Sequence, residues 1–357
     1  MQMRAAIDRW ISRQWQRRGL WAWLMRPLAL IYQAISTHRQ RKYASGHHRA
    51  QRLPVPVIVI GNIYVGGTGK TPIACELAQL LQAQGWQPGL VSRGYGRHHS
   101  SVPATGRGKD LDWRAFGDEP ALIARKTGMA VSSHPQRRLA AETLLLQFPQ
   151  TDIIISDDGL QHYPLNRDFE ILIQDERGLG NGLLLPAGPL REGPQRLAQV
   201  DLVLRRLADD ATPAPGPDTD SANELSFKLE IAAFWHPSSD TTLRPQALAE
   251  DLRAAVNAPI VAAAGIGVPE RFFSSLRALG IDLSQTHPLA DHGPIELDWL
   301  KGLNARTILI TEKDAIKLPL NVDARIWVAI TNVRWCSTQA PKRILEQLAR
   351  ANIKFSE

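Results

Sequence analysis

Residues 66–71 read Gly-Gly-Thr-Gly-Lys-Thr, a spacing suited to holding a phosphate chain. Gly66, Gly67 and Gly69 let backbone N–H groups turn inward onto an anion with no side chain in the way, and Thr68 completes the loop. Lys70 can reach β- and γ-phosphates, and the Thr71 hydroxyl suits a Mg²⁺ ion. Such a loop needs a strand to enter it and a helix to leave it. The apolar run at 57–60 reads as the strand, and the periodic apolar stretch at 73–81 reads as the helix. The helix N-terminus adds unpaired N–H groups and the positive end of a dipole. Pro72 falls in the first turn, where its missing N–H costs nothing. The strict pattern asks for Gly five residues before Gly69, and that position is Tyr64.

A second constellation lies at 151–159, Thr-Asp-Ile-Ile-Ile-Ser-Asp-Asp-Gly. Alone, a strand followed by Asp-Asp-Gly is more often a turn than a metal site. Beside Lys70 and Thr71 it reads as a Walker-B arrangement. Parallel strands end along one edge, so Asp157 or Asp158 would face the phosphate loop and hold Mg²⁺. Which of the two touches the metal is left open. His47-His48 and His98-His99 lack companion ligands at metal spacing and read as solvated loop residues. Cys75 and Cys336 are far apart, so neither a disulfide framework nor a cysteine-based zinc site is implied.

The elements that must position these groups alternate as strands and helices from 54 to 205, the mark of an α/β domain with a mainly parallel sheet. Residues 88–97 read as a strand ending in a Gly-rich, Arg-bearing loop, and 98–112 as a polar loop. Helices are expected at 121–127 and 136–148, strands at 169–174 and 201–204, and a Gly/Pro-rich loop at 178–193. The Pro-rich, polar stretch 208–222 reads as a linker, and 225–234 as a strand of a connecting hairpin. A second α/β unit follows, with strands at 260–264, 307–310 and 326–330 and a helix at 269–279. Gly265-Ile266-Gly267 imitates a dinucleotide fingerprint but lacks its third glycine, since position 270 is Glu. The expected division is 1–52 as an N-terminal helical segment, 53–207 as the phosphate-loop core, 208–250 as linker and hairpin, and 251–357 as a smaller C-terminal lobe.

The 357 residues carry a formal charge of +7, unevenly spread. Residues 1–52 hold eleven Lys/Arg and one acid, Asp8, which leaves 31 basic and 34 acidic residues elsewhere. The slightly acidic body gives no electrostatic case for nucleic acid. In the basic segment Ile7, Trp10, Ile11 and Trp15 share one helical face, with Arg9, Arg13 and Arg17 opposite. The apolar run 20–32 is short of the ~20 residues a spanning helix needs, and Arg26-Pro27 interrupts it. Basic residues with Trp and Leu at helical spacing suggest a helix lying in an anionic membrane interface; a helix packed on the protein's own core is the alternative.

The chain resembles the tetraacyldisaccharide 4'-kinases, the lipid A 4'-kinases of Gram-negative bacteria, over residues from about 20 to 350. The resemblance rests on eight stretches in order: GNIYVGGTGKTP at 61–72, SRGYGR at 92–97, GDEP at 117–120, DDGLQH at 157–162, GNGLLLPAGPLRE at 180–192, AGIGVPERFF at 264–273, ADH at 290–292 and TEKDAIK at 311–317. In that family, too, the loop departs from the strict pattern at the position of Tyr64. The resemblance implies a P-loop NTPase-like three-layer core with a second α/β lobe, ATP and Mg²⁺, and a peripheral protein at the cytoplasmic face of the inner membrane. The implied reaction moves the ATP γ-phosphate to the 4'-hydroxyl of tetraacyldisaccharide 1-phosphate, giving lipid IVA. It implies Asp118 and His292 as a catalytic dyad, Asp157 and Asp158 as the Walker-B acids with Gln161 nearby, and Arg93 and Arg137 at the substrate's sugar phosphate.

A carboxylate in reach of a sugar hydroxyl can orient it and accept its proton as the P–O bond forms, and a histidine bonded to that carboxylate fixes its orientation. From the residues alone, Asp118 reads as a helix cap and His292 as a turn residue. A membrane-associated nucleotide switch would use the same loop and the same basic helix. It would need no hydroxyl-activating pair in a second lobe.

Overall fold

A computed structural model describes residues 10–45, 50–97, 101–208, 223–254, 259–319 and 323–353. Ile7, Arg9, both histidine pairs and most of the expected linker (209–222) lie outside these. The strands in chain order are β1 (Val57–Gly61), β2 (Pro88–Ser92), β3 (Ala104–Arg107), β4 (Ala130–Ser133), β5 (Ile153–Asp157), β6 (Phe169–Gln174), β7 (Leu202–Arg206), β8 (Glu224–His236), β9 (Thr241–Leu243), β10 (Ile260–Ala264), β11 (Gln285–Pro288), β12 (Thr307–Thr311) and β13 (Ile326–Trp335). They form one sheet in the order β11-β10-β12-β13-β8-β7-β6-β1-β5-β2-β4-β3, with β9 on β8. The pairings are parallel except β3–β4, β8–β9 and β8–β13.

Burial on both faces explains why the central strands are continuous apolar runs. Val57 and Val59 of β1 pack with Leu144, Ile154 and Leu172, while Ile58 and Ile60 pack on the other side with Ile73, Leu77 and Leu81 of the helix Lys70–Ala83. The second lobe has its own two cores, one around Phe234, Phe273 and Leu309 and the other around Ile308, Ile310 and Val328. The last helix, Ala340–Arg350, returns to the phosphate-loop lobe and buries Ala340, Ile344 and Leu348 there.

β3 sits inside the stretch that reads as a polar loop, and β4, β9 and β11 sit where the sequence marks no element. β4 is Ala-Val-Ser-Ser, with too little apolar character to mark a strand, yet it is buried between β2 and β3. β3 is an edge strand whose Thr105 hydroxyl meets Ser132 at 2.8 Å. β8 and β13 are longer than their apolar stretches, because antiparallel pairing between them carries the sheet from one lobe to the other.

The helix Leu20–Ala44 runs through Pro27 without ending. Its inward side is small or polar: Ala22 and Ala29 are buried, Tyr32 donates to the Arg191 carbonyl at 3.1 Å, and Gln40 donates to Glu192 at 3.0 Å. Its outward side carries Leu20, Trp23, Leu24, Leu28, Ile31 and Ile35, all exposed. Among the described residues, no helix is long and apolar enough to cross a membrane.

Candidate active site

β1 pairs with β5 in parallel, setting Ile60 opposite Asp157, so the phosphate loop and the acidic strand end share one edge. The loop turns through Gly66 (φ 102°) and Gly69 (φ 95°), both in the left-handed region where a side chain is strained. Buried Asn62 braces it, donating through Nδ2 to the Gly66 carbonyl at 3.2 Å and to Thr68 Oγ1 at 3.0 Å. Tyr64 packs instead of turning: its ring lies 4.2 Å under the Arg177 guanidinium, and its hydroxyl accepts from Gln16 at 2.8 Å. At the loop tip, the Gly67 carbonyl accepts from Arg177 at 3.1 Å and from Arg271 of the second lobe at 3.2 Å. Both arginines bond the buried Asp175 carboxylate.

Lys70 and Thr71 open the helix beyond the loop. Lys70 Nζ lies 3.4 Å from Asp158 Oδ1. Asp158, at φ 48°, also takes Arg191 Nη1 at 3.0 Å on each oxygen. Burial pushes its carboxyl up, but Lys70 and then Arg191 outweigh that and hold it well below the usual carboxylate range. Asp157 is the opposite case. It is buried, and its Oδ1 has no hydrogen-bond partner among the described residues. Burial first, and the charge of Glu119 second, push its carboxyl up to about 7. A buried, unpartnered carboxylate oxygen beside the loop is a fitting place for a cation.

Gln161 joins this half: it donates to the Asn62 carbonyl at 3.2 Å and accepts from Arg191 at 3.4 Å. Arg137 is buried, and its Nη2 donates to the carbonyls of Asp157 at 3.0 Å and Asp158 at 2.7 Å. Arg93 stands exposed on the loop after β2, with its charge felt at Arg137 and His162.

Asp118 and His292, 174 residues apart, meet: His292 Nδ1 lies 2.8 Å from Asp118 Oδ1 and 3.1 Å from Oδ2. Asp118 begins the helix Asp118–Thr127, and the cap position falls to Gly117 at φ 94°. His292 occupies a left-handed position, φ 60°, in the turn after β11. The Tyr95 ring lies 4.7 Å from the imidazole, so the loop 92–97 closes over the pair. Burial pushes the Asp118 carboxyl up, but the His292 bond and then Lys313 outweigh it and hold it below its ordinary value. Burial pulls His292 down, and the Asp118 bond outweighs it in the other direction, so the imidazole sits above its ordinary value.

The family model for tetraacyldisaccharide-1-P 4'-kinase matches residues 21–350. The chain belongs to this family. It is 45% identical over 328 residues to the tetraacyldisaccharide 4'-kinase of Bordetella parapertussis, covering 92% of this chain and 93% of that protein. It is 39% identical over 354 residues to that of Janthinobacterium sp. strain Marseille, covering 98% and 99%. The fold matches the crystal structure of LpxK from Aquifex aeolicus in complex with ATP, with TM-score 0.72, 26% identity, and 94% of this chain and 99% of that one covered. The chain is accordingly an α/β kinase of lipid A biosynthesis, acting at the 4' position of a tetraacylated disaccharide.

Several residues of this candidate site carry no role in the sequence reading. Arg191 is the next-to-last residue of the stretch 180–192, and that loop is placed beside the phosphate loop by the bridge between Tyr64 and Leu190. Lys313 and Lys317 come from 311–317, and Arg271 from 264–273. Each belongs to a stretch that carries the resemblance. What hides their roles is that each acts on a group more than thirty residues or a whole lobe away.

Proposed function

We propose that Asp118 is the base of the transfer, with His292 holding it, and that the phosphate loop and the Asp157–Asp158 strand end hold ATP and Mg²⁺. As the 4'-oxygen bonds to the γ-phosphorus, its proton passes to the Asp118 carboxylate, and the bond to the β–γ bridging oxygen breaks, leaving ADP with the electron pair. Lys70 and the inward N–H groups of 66–69 neutralise the phosphates. Thr71 and Asp157 would hold the cation, which when bound screens the charge on the β- and γ-oxygens. Arg191 keeps Asp158 ionised and in place. Arg93, exposed at the mouth, suits the substrate's phosphate. Arg137 suits the same electropositive mouth from beneath, through the carbonyls it braces. In this reading 53–207 supplies nucleotide and base, 251–357 supplies the histidine, and 208–250 joins them.

The observation that carries the reading is the 2.8 Å Asp118–His292 contact between the two lobes. A nucleotide switch has no use for it. The test is transfer of label from ATP to tetraacyldisaccharide 1-phosphate with Mg²⁺ present. Transfer by Asp118→Asn at the wild-type rate would remove Asp118 as the base.

The helix Leu20–Ala44 supports a seat on an anionic membrane, at the cytoplasmic face of the inner membrane where the lipid acceptor would lie. Its apolar side faces outward, with Arg26, Arg39, Arg41 and Lys42 along its length. Apolar side chains buried in the interface contribute ~1.5–3 kcal/mol each. The triple variant Trp23→Ser, Ile31→Ser, Ile35→Ser should therefore partition into phosphatidylglycerol-containing vesicles at least about tenfold more weakly. Equal partitioning of variant and wild type would remove this helix as the membrane seat.

A further inference from the structure

Lys313 follows β12 in the short helix Glu312–Ala315, whose cap is Thr311. Its side chain is only 12% exposed, and Nζ reaches four groups on two other segments: Asp291 Oδ1 at 2.9 Å, Glu119 Oε1 at 3.1 Å, His292 Nε2 at 3.4 Å and Asp118 Oδ2 at 3.8 Å. An ammonium can only donate, so the Nε2 that faces it is an acceptor. A neutral imidazole with an accepting Nε2 carries its proton on Nδ1. Nδ1 faces the Asp118 carboxylate, which can only accept. Both ends of the ring therefore specify one tautomer.

We propose that Lys313 is a positioning residue for phosphoryl transfer, fixing His292 as the Nδ1–H tautomer and so keeping Asp118 an ionised proton acceptor. The proposal rests on the reading of Asp118 as base. The other charges facing the pair are accounted for. Asp291 Oδ1 lies 3.7 Å from Nε2 and draws a proton toward it, which the Lys313 charge opposes. Lys317, with a fully buried side chain, lies 3.7 Å from Asp118 Oδ2 but 3.4 Å from Asp314, and makes no contact with the imidazole. Glu119 shares Lys313 with the pair and also raises Asp157, so the ammonium stands between the negative charges of both halves of the site.

Lys313→Met keeps most of the stem and removes the charge. Partners that fix a ring tautomer from outside are worth about 10–100-fold, and kcat should fall by that factor with the KM for ATP within about twofold. The acid limb of the kcat–pH profile should move to higher pH, because Asp118 and His292 both lose a neighbouring cation. Lys313→Arg, which keeps the charge, should recover part of kcat and most of the limb. Nitrogen NMR of labelled histidine in the wild-type protein should show His292 protonated at Nδ1 in its neutral form. A wild-type ring protonated at Nε2 overturns the proposal whether or not the variants fold. Unchanged kcat and pH limb in Lys313→Met, with Asp118→Asn inactive, overturns it while leaving the base assignment standing. An active Asp118→Asn removes the base assignment itself, and the positioning role with it.

Discussion

The two halves of the proposed site are built in different ways. The phosphate half is nearly contiguous: one strand, one loop and one helix start within 57–83, with the acid pair on the adjoining strand. Its chemistry lies largely in the backbone, in N–H groups freed by left-handed glycines and aimed by a helix N-terminus. The proton half is two side chains 174 residues apart, joined across the lobes and held by Lys313, Glu119 and Asp291. Backbone chemistry leaves a local pattern in a sequence. Side-chain chemistry assembled by a fold leaves two ordinary residues.

The largest expected effect falls on the contiguous half. Lys70→Ala should lower phosphoryl transfer by about 10³–10⁵-fold, the range for a single charged group on the transferring phosphoryl. Thr71→Ala should follow it closely. A folded Lys70→Ala protein with near-normal turnover in the labelled-ATP assay would dissolve the contrast between the halves, because the loop would then not be the phosphate site.

That contrast also explains what the sequence makes legible. The loop, its strand and its helix can be read from 57–81 with no relative in hand, because glycine, lysine and hydrophobic period each have a local physical cause. β6 and β10 occupy the expected bounds, because each is a fully buried strand built on a short, mainly apolar run. β4 could not be read this way, since Ser132 and Ser133 are buried by their neighbours and not by their own character. Asp118 and His292 stand out only through resemblance: GDEP reads as a helix start, and Asp-His-Gly-Pro as a turn. The ammonium of Lys313 is harder still, because its meaning depends on a tautomer that exists only once both lobes are folded.

The next effect tests the assembled half. Asp118→Asn and His292→Ala should each lower kcat by about 10²–10⁴-fold with ATP affinity unchanged, because their task begins when the hydroxyl proton moves. If they act as one unit, the double variant should be only slightly slower than the poorer single one. Independent, multiplying losses would mean that the 2.8 Å contact is not the catalytic link between them. Asn caps helices about as well as Asp, so a purely structural Asp118 predicts an active Asp118→Asn.

Arg191 sharpens the comparison at an intermediate scale. It comes from 120 residues beyond the loop yet serves the contiguous half, through two 3.0 Å contacts to Asp158. Arg191→Met should raise the KM for Mg²⁺–ATP about tenfold, in line with the loss of a supporting partner, and change kcat less. Loss of kcat alone, with ATP affinity intact, would move Arg191 to the proton half.

The smallest effect is on stability, and its pH dependence separates the halves. His292 lies above its ordinary value in the folded protein, so its contribution is fully present below about pH 6.5, the unfolded value, and is lost as pH rises through the folded value. Asp118 lies below its ordinary value, so its contribution is present above about pH 3.9 and is lost as pH falls through the folded value. Together they stabilise the fold most in the mildly acidic window between. The deficit in Tm of His292→Ala relative to wild type should therefore be greatest at pH 5–6 and should shrink as pH rises through the folded His292 value. In a chain this long each kcal/mol moves Tm by only about 2 °C, so matched calorimetric scans are needed. Lys70→Ala breaks no contact to the dyad and should show no such maximum. A deficit for His292→Ala that stays constant from pH 5 to 9 would mean that the imidazole packs without sharing charge with Asp118, and the assembled half would lose its electrostatic basis.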